Sequence, residues 1–151
     1  MRKWRGRLGE EARKQLGKPY KYGAWWQEAP ACFDCSSFVQ WLYKQIGFQI
    51  PRVSIEQADM GRRVNWKKVA LLPGDLIFLQ GKAGRYNLRY PQGIGHVIIV
   101  ISSDEVVHAQ SRCRKGKEHG EVVLGSLRVM LRRPDITVVK RLLGTKLPPV
   151  K

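Results

Sequence analysis

The spacing of apolar residues predicts helices in the first third of the chain and strands in the remainder. One amphipathic helix is predicted to start after Asp34 and to end near Gly47, a natural C-terminal cap. Its apolar positions recur at helical spacing and are Phe38, Val39, Trp41, Leu42 and Ile46. A shorter helix is predicted over residues 9–16. Another is predicted from Ser54, where Gln57 three residues later completes a capping box.

From residue 73 onward the pattern changes to short apolar runs that are rich in β-branched residues and separated by turn signals. The predicted strands cover residues 76–79, 96–101, 105–109, 121–124, 127–131 and 136–142. Helices followed by closely spaced strands indicate an α+β fold, with helices packed on an antiparallel sheet or small barrel of about five to six strands. We expect a single domain over residues 1–151, with a core over about 9–143.

Charge and hydropathy narrow the possible partners. The formal charge is +16, and it is concentrated in residues 1–22 and 111–151. Basic ends are compatible with nucleic acid, anionic lipid or an anionic wall polymer, and charge alone does not choose among them. An anionic wall polymer or lipid is the expected partner, and no obligate nucleic acid is expected. The longest aliphatic run, residues 97–101, is far too short to span a membrane. The basic N-terminus has no apolar segment behind it, so no ordinary secretory signal is predicted. Three expectations stay open at this point: the chain acts in the cytoplasm, it leaves by another export or phage-type route, or its sequence is already trimmed.

The chemistry-bearing residues are a cysteine at a helix start and two histidines on neighbouring strands. Cys35 opens the predicted helix, where unpaired N–H groups and the helix dipole favour a thiolate. With a histidine close by as well, the thiol pKa is expected to fall from about 8.5 toward the range of roughly 3.5–7.5. The same N–H groups can stabilise an oxyanion. His96 opens the most apolar strand, and the next hairpin leg can bring His108 beside it to fix its tautomer. This pattern predicts a cysteine nucleophile with a histidine base.

Other interpretations of the same residues stay open at this point. Cys35 could be a buried packing residue, and His96 a structural one. One alternative is a zinc site formed by Cys32, Cys35, Cys113 and a histidine. In this interpretation the basic ends contact nucleic acid. Only one C-x-x-C pair is present, which disfavours zinc. His119 lies in a charged segment and is interpreted as a solvated surface residue.

Several motifs, in order along residues 19–110, resemble the NlpC-type cell-wall cysteine peptidases. They are Pro19-Tyr20-Lys21-Tyr22-Gly23, Phe33-Asp34-Cys35-Ser36-Ser37-Phe38-Val39, Ile50-Pro51-Arg52-Val53-Ser54 with Gln57, Pro73-Gly74-Asp75-Leu76-Ile77-Phe78, Gly95-His96-Val97 and Val107-His108-Ala109. The resemblance implies a papain-like α+β fold and a catalytic triad of Cys35, His96 and His108. It implies a cysteine endopeptidase acting on peptidoglycan or muropeptides, typically at the γ-D-glutamyl–diamino acid bond, without a metal or organic cofactor.

The resemblance also implies roles for residues around the thiol. Tyr20 would be an oxyanion or substrate contact, and Asp34 and Ser36 would help bind an amine of the substrate, either free or within the stem peptide. Three residues depart from the family pattern, namely Ser37, Ala24 and Ile98, and are expected to narrow the site. Residues 82–92, with Arg85, Tyr86, Arg89 and Tyr90, are expected to form a substrate-selecting rim. An amidase, deamidase or acyltransferase with the same triad, or an inactive binding-only relative, are the alternatives.

Overall fold

Helices come first along the chain and the strands of one sheet follow, as the hydrophobic pattern predicts. The computed structural model describes residues 2–82, 88–114 and 117–144. Its helices are α1 (Arg2–Lys14), α2 (Cys35–Gln45), α3 (Ser54–Gln57) and α4 (Leu127–Met130), with one 3-10 turn at Trp26–Glu28. Its strands are β1 (Arg62–Arg63), β2 (Leu76–Leu79), β3 (His96–Val100), β4 (Glu105–Arg114), β5 (Lys117–Ser126) and β6 (Ile136–Arg141).

The six strands form one antiparallel sheet in the order β1-β6-β2-β3-β4-β5. Its two faces bury different sets of side chains, because successive residues of a strand point to opposite sides. Val97 and Ile99 of β3 pack with Phe38 and Leu42 of α2 in the larger core cluster. The intervening residue, Ile98, packs with the second cluster on the opposite face. The α+β architecture with an antiparallel sheet is therefore confirmed, and Ile98 lies in the core and not in a position that narrows the site.

A buried ion pair joins two neighbouring strands of this sheet. Asp75, directly before β2, is fully buried, and the side chain of Arg141 at the end of β6 is 11% exposed. The guanidinium donates from Nε and Nη2 to the two carboxylate oxygens, over 2.8 and 2.7 Å. The backbone N–H of Leu72 donates to the same carboxylate over 2.8 Å. Separating the two partners would leave an unpaired charge buried in the core, which is unfavourable. The ion pair therefore constrains how β2 and β6 pack.

The hairpin of β4 and β5 extends well beyond the rest of the sheet. β3 pairs only with the beginning of β4, whereas β4 and β5 pair along ten residues each, from Glu105↔Ser126 to Arg114↔Lys117. The predicted strands 105–109 and 121–124 were too short, because the polar residues further out carry no apolar alternation. Residues 17–20 run along the outer edge of β5, where the N–H of Tyr20 donates to the carbonyl of Gly120 over 3.0 Å.

Helix predictions succeed for α2 and need correction elsewhere. α2 ends as predicted, because Gly47 has a φ of 89° and its N–H donates to the carbonyl of Lys44. The first helix covers Arg2–Lys14 and not 9–16, since Leu8 and Ala12, four residues apart, both face the core. Gly9 lies in this helix where an added Cβ would come within 3.1 Å of the carbonyl oxygen of Ile101.

Two further local predictions were wrong. Residues 127–131 do not form a strand, because the hydroxyl of Ser126 accepts from the N–H of Val129 and caps helix α4. Ser54 does not form a capping box, since it is the first helical residue after Val53 and no side chain caps that end. Gln57 is instead fully buried, and its Nε2 donates to the carbonyls of Ser36 and Pro51.

Candidate active site

The candidate nucleophile is the first residue of α2, and a reciprocal capping box holds it there. Asp34 is the N-cap, and its Oδ1 accepts from the N–H of Ser37 over 2.8 Å. In return, the hydroxyl of Ser37 accepts from the N–H of Asp34 over 2.9 Å. Both residues are buried, so the geometry of the helix start is fixed. Ser37, one of the departures from the family pattern, therefore caps the helix and does not narrow the site.

The thiol of Cys35 lies half-buried against the start of β3. The backbone N–H groups of Val97 and Ser36 lie near its sulfur and act to lower its pKa, and Val97 directly follows His96 in the chain. Burial is the largest influence on this thiol and raises its pKa to about 11. The negative charge of Asp34 also raises the pKa, whereas these N–H groups and the charge of Arg52 lower it by less. The lowered thiol pKa expected from the helix start is therefore wrong, because desolvation outweighs these favourable contacts.

The two histidines predicted to be neighbours are in direct contact. His96 is the first residue of β3, and its Nε2 lies 2.7 Å from Nδ1 of His108 on β4. Their ring centroids are 4.9 Å apart and the rings are nearly perpendicular. Because Nε2 of His96 is used in this bond, Nδ1 is the ring nitrogen left for another partner. The prediction that the hairpin brings His108 beside His96 is confirmed.

Both imidazoles are held in their neutral form. Burial, followed by the proximity of His108 and Arg133, lowers the pKa of His96 to about 3. Burial and Arg133 lower the pKa of His108 to about 4. Arg133 pairs with Asp135 through two bonds of 2.8 Å and was not singled out from the sequence. A neutral imidazole can accept a proton, which a general base must do.

A second network, centred on Arg52, connects the nucleophile's helix to the loop before it. Arg52 donates from Nη2 to Asp34 Oδ2 over 2.7 Å and to the carbonyl of Ala24 over 2.8 Å. It donates from Nη1 to the hydroxyl of Ser36 over 2.9 Å. Gly23 donates its N–H to Asp34 Oδ2 over 3.1 Å. The structure thus brings Asp34 and Ser36 together through Arg52, a residue that sequence reasoning quoted in a motif but assigned no role.

An open cavity of about 530 Å³ lies beside Cys35. Tyr20 lines it, and it is placed there by backbone pairing of residues 19–21 with Phe33. The rim carries three exposed aromatic side chains, namely Tyr22, Trp25 and Trp26, which are 79%, 70% and 65% exposed. Trp26 and Arg52 also line a second cavity of about 400 Å³ along the outer face of α2. The cavity beside the thiol is therefore open to solvent and has aromatic side chains at its rim.

The expected rim at residues 82–92 is only partly described. Arg85 and Tyr86 lie outside the described residues. Tyr90 is buried, and its hydroxyl donates to the carbonyl of Ala58 over 2.7 Å, so it belongs to the core and not to a rim. Arg89 is exposed and pairs with Asp59 over 3.3 Å.

The described residues offer little support for zinc. Cys32 and Cys35 are free thiols, and the side chain of Cys113 lies outside the described part of the chain. Among the described side chains, no group of three or more His, Cys, Asp or Glu residues gathers as a metal site needs. His119 is exposed on β5, as expected. In the same described ranges no helix combines the length and apolar character needed to cross a bilayer.

Comparisons with known proteins identify the family of this chain. The family model for the NlpC/P60 family matches residues 17–124. The chain is 34% identical over 103 residues to a probable endopeptidase p60 of Listeria grayi, covering 68% of this chain and 17% of that protein. It is 30% identical over 105 residues to the probable endopeptidase NlpC of Escherichia coli, covering 69% of this chain and 60% of the relative. The chain thus spans less than two thirds of the length of either relative.

Solved structures show the same fold. The peptidoglycan hydrolase RipB of Mycobacterium tuberculosis superposes with a TM-score of 0.67 at 24% identity, covering 95% of this chain and 67% of that one. The P60 domain of an antigen from M. avium subspecies paratuberculosis gives a TM-score of 0.68 at 21% identity, covering 95% and 98%. These likenesses confirm the predicted papain-like α+β fold. The family match, the fold and the order of the motifs together establish that this chain belongs to the NlpC/P60 family.

Proposed function

We propose that this chain is a cysteine endopeptidase that hydrolyses peptidoglycan stem peptides, at the bond between γ-D-glutamate and a diamino acid. The observation that carries the proposal is the position of Cys35, on a capped helix start and beside the N–H of Val97, the residue after His96. The relatives named as probable endopeptidases and the likeness to a peptidoglycan hydrolase support the reaction class and the substrate.

In the proposed mechanism, Cys35 is the nucleophile, His96 the base and His108 the residue that orients the base. Both partners are neutral at rest, so His96 takes the thiol proton as the sulfur attacks the carbonyl carbon. An Nε2–H of His96 that donates to His108 would leave the Nδ1 lone pair for this proton. The protonated imidazole then gives the proton to the departing amine, and a thioester remains on Cys35. Water, activated by His96, hydrolyses the thioester and frees the thiol.

The cavity residues are proposed to position the acyl part of the substrate. Tyr20 lines the cavity beside Cys35 and is proposed to contact the oxyanion or the substrate. Asp34 and Ser36 both accept hydrogen bonds from Arg52. They are proposed to shape the pocket that receives the amine of the stem peptide, either free or within an amide. The proposed place of action is the cell envelope, where exposed basic residues such as Lys3 and Arg7 of α1 would face an anionic polymer or lipid.

The test is incubation of the purified chain with muropeptides of defined composition and identification of the products by mass. We expect two peptide fragments, no activity for Cys35→Ala and retained activity for the matched variant Cys32→Ala. Release of ammonia without fragmentation would instead indicate a deamidase, and transfer to an added amine would indicate an acyltransferase. Loss of activity in Cys32→Ala but not in Cys35→Ala would contradict the assignment of the nucleophile.

A further inference from the structure

Basic side chains gather at the edge of the sheet that β1 and β6 form, outside the catalytic cavity. Arg63 of β1 pairs directly with Lys140 of β6, and antiparallel partners project their side chains to the same face of a sheet. Like charges in directly opposite positions destabilise a strand pair. The chain nevertheless holds these strands close, because Gly61, with a φ of 65°, precedes β1 where an added Cβ would collide with the carbonyl oxygen of Arg141. The fold therefore keeps two cations together although they repel each other.

A third cation reaches the same place from the loop before β3. The guanidinium carbon of Arg63 lies 5.6 Å from the centre of the Tyr90 ring. Tyr90 is buried, and directly before it in the chain Arg89 pairs with Asp59 over 3.3 Å. The charges of Arg63, Arg89 and Asp59 all act on the ammonium group of Lys140. We call the three cations, Arg63, Arg89 and Lys140, the basic patch.

The basic patch has an excess of positive charge, and part of this charge is removed from water. Lys140 is only 7% exposed, and it lies on an inner strand, where a charge does not serve to protect a sheet edge. Burial, followed by the charge of Arg63, lowers the pKa of its ammonium group, and Asp59 offsets this only in part. In the described part of the chain, Asp59 is the one acidic group that acts on Lys140, and it also pairs with Arg89. A partly buried excess of positive charge is unfavourable by itself, and a bound anion would relieve it.

The arrangement of the three cations fits a phosphate group better than a carboxylate. A carboxylate is planar, and one guanidinium fork satisfies both of its oxygen atoms. A phosphate group presents oxygen atoms in tetrahedral directions, so that cations from several elements can bind it at once. Here Arg63 comes from β1, Lys140 from β6 and Arg89 from the loop before β3. The basic patch therefore offers donors from three elements to a single anion.

The basic patch is connected to two walls of the catalytic cavity. Residues 53–55 line that cavity, and Asp59 follows them closely in the chain. Residues 94–95 line it as well, and Tyr90 closely precedes them. The hydroxyl of Tyr90 donates to the carbonyl of Ala58 over 2.7 Å and so joins the two segments. A polymer bound at the basic patch would therefore keep the catalytic cavity beside that polymer.

We propose that the basic patch binds phosphate groups of an anionic polymer, with the guanidinium groups of Arg63 and Arg89 and the ammonium group of Lys140 donating to the phosphate oxygens. The inference goes beyond the proposed function, because binding requires no turnover by Cys35. The side chain of Arg89 is 69% exposed whereas Lys140 is recessed, so the cations lie at different depths. A flexible chain with repeated phosphates can enter such a recess, whereas the plane of bilayer headgroups meets only the outer charges.

The test measures binding of a synthetic oligo(glycerol phosphate) to the full chain by isothermal titration calorimetry at constant ionic strength. Lys140→Met and Arg63→Gln should each weaken binding about tenfold, because each removes a charge-assisted hydrogen bond. Arg128→Gln removes an equally charged, exposed side chain on α4, which packs on the opposite face of the sheet. This control should stay within about twofold, because distant exposed charges are screened. Inorganic phosphate should displace the oligomer, and chloride at the same ionic strength should not.

A change of opposite sign gives a second check. Asp59→Asn removes the acidic group that competes with a phosphate for the basic patch, so binding should tighten by about fivefold. Asp104→Asn changes the net charge equally at another exposed position and should stay within about twofold. Unfolding in urea without phosphate separates a binding role from a structural one. Lys140→Met should be at least as stable as the unmodified chain, because it removes a recessed charge that its neighbours repel.

Equal losses of affinity in Lys140→Met, Arg63→Gln and Arg128→Gln would overturn the inference, because attraction would then be spread over the whole basic surface. Equally tight binding of poly-glutamate would overturn the choice of phosphate. Binding to phosphatidylglycerol vesicles without binding to the oligomer would assign the basic patch to a membrane instead. Cys35→Ala should bind the oligomer as tightly as the unmodified chain does. A failure of the proposed cleavage and a failure of phosphate binding are therefore observed separately.

Discussion

The protonation state of Cys35 at rest gives the sharpest test of the mechanism. The thiol pKa is raised to about 11 and the pKa of His96 is lowered to about 3, both chiefly by burial. Transfer of the proton from sulfur to imidazole is therefore unfavourable by about eight powers of ten. Coulomb attraction between the two ions at contact would return about 4 kcal/mol at an effective dielectric constant of 20, or roughly three powers of ten. The neutral pair dominates at neutral pH.

The assay is alkylation by iodoacetamide in a Cys32→Ser/Cys113→Ser background, so that only Cys35 reports. We expect the rate to rise about tenfold for each pH unit between pH 6 and 10, without a plateau, because the thiolate is the reactive form. At pH 7 the thiolate fraction would be about 10⁻⁴, compared with about 10⁻² for a thiol with the ordinary pKa of 9.0. His96→Gln should change this rate by less than about threefold and still abolish turnover.

A plateau in the alkylation rate from about pH 4 to 8 would refute this reasoning. It would mean that a thiolate–imidazolium pair exists before substrate binds, and that the helix start stabilises the sulfur more than burial destabilises it. A large loss of alkylation at pH 7 in His96→Gln would lead to the same conclusion. Either result leaves the identity of the nucleophile unchanged, because that identity is tested separately by Cys35→Ala.

Two predictions concern stability. Arg141→Met leaves the carboxylate of Asp75 buried and uncompensated, so the free energy of unfolding in urea should fall by about 3–5 kcal/mol. The same change at exposed Arg13 should leave the free energy of unfolding nearly unchanged, and equal losses would contradict the assigned role of burial. The folded-state pKa values of His96 and His108 lie below 6.5, so the unfolded state binds more protons in acid, and stability should fall as pH drops from about 6.5 toward 3. Urea titrations at successive pH values should show a shallower fall for His108→Gln, and a flat profile in the unmodified chain would contradict the lowered pKa values.

The parts of the site that follow from local rules were predictable. Asp34 before an amphipathic run identifies the helix start and places Cys35 on it. A short turn between two β-branched strands brings His108 against His96, because hairpin partners are neighbours in the sheet. The resemblance to a known family supplied the same three positions independently.

The remaining features depend on contacts between distant residues. Arg52 reaches Asp34 across eighteen positions, and no local pattern indicates that its guanidinium turns toward the helix cap. The pKa of Cys35 depends on how deeply β3 covers its sulfur, which the helix start does not determine. At Leu127 a local effect was overlooked, since capping by Ser126 outweighs the apolar pattern of the following residues.

Asp34 serves two structures at once, the start of α2 and the loop that carries the aromatic rim. A substitution there would disturb both the nucleophile's support and the entrance to the cavity. The rings of Trp25 and Trp26 project from a backbone that is already anchored, so they can be exchanged at little structural cost. Divergence toward new substrates within this scaffold is therefore expected to accumulate at the rim residues, while Asp34 tolerates almost no change.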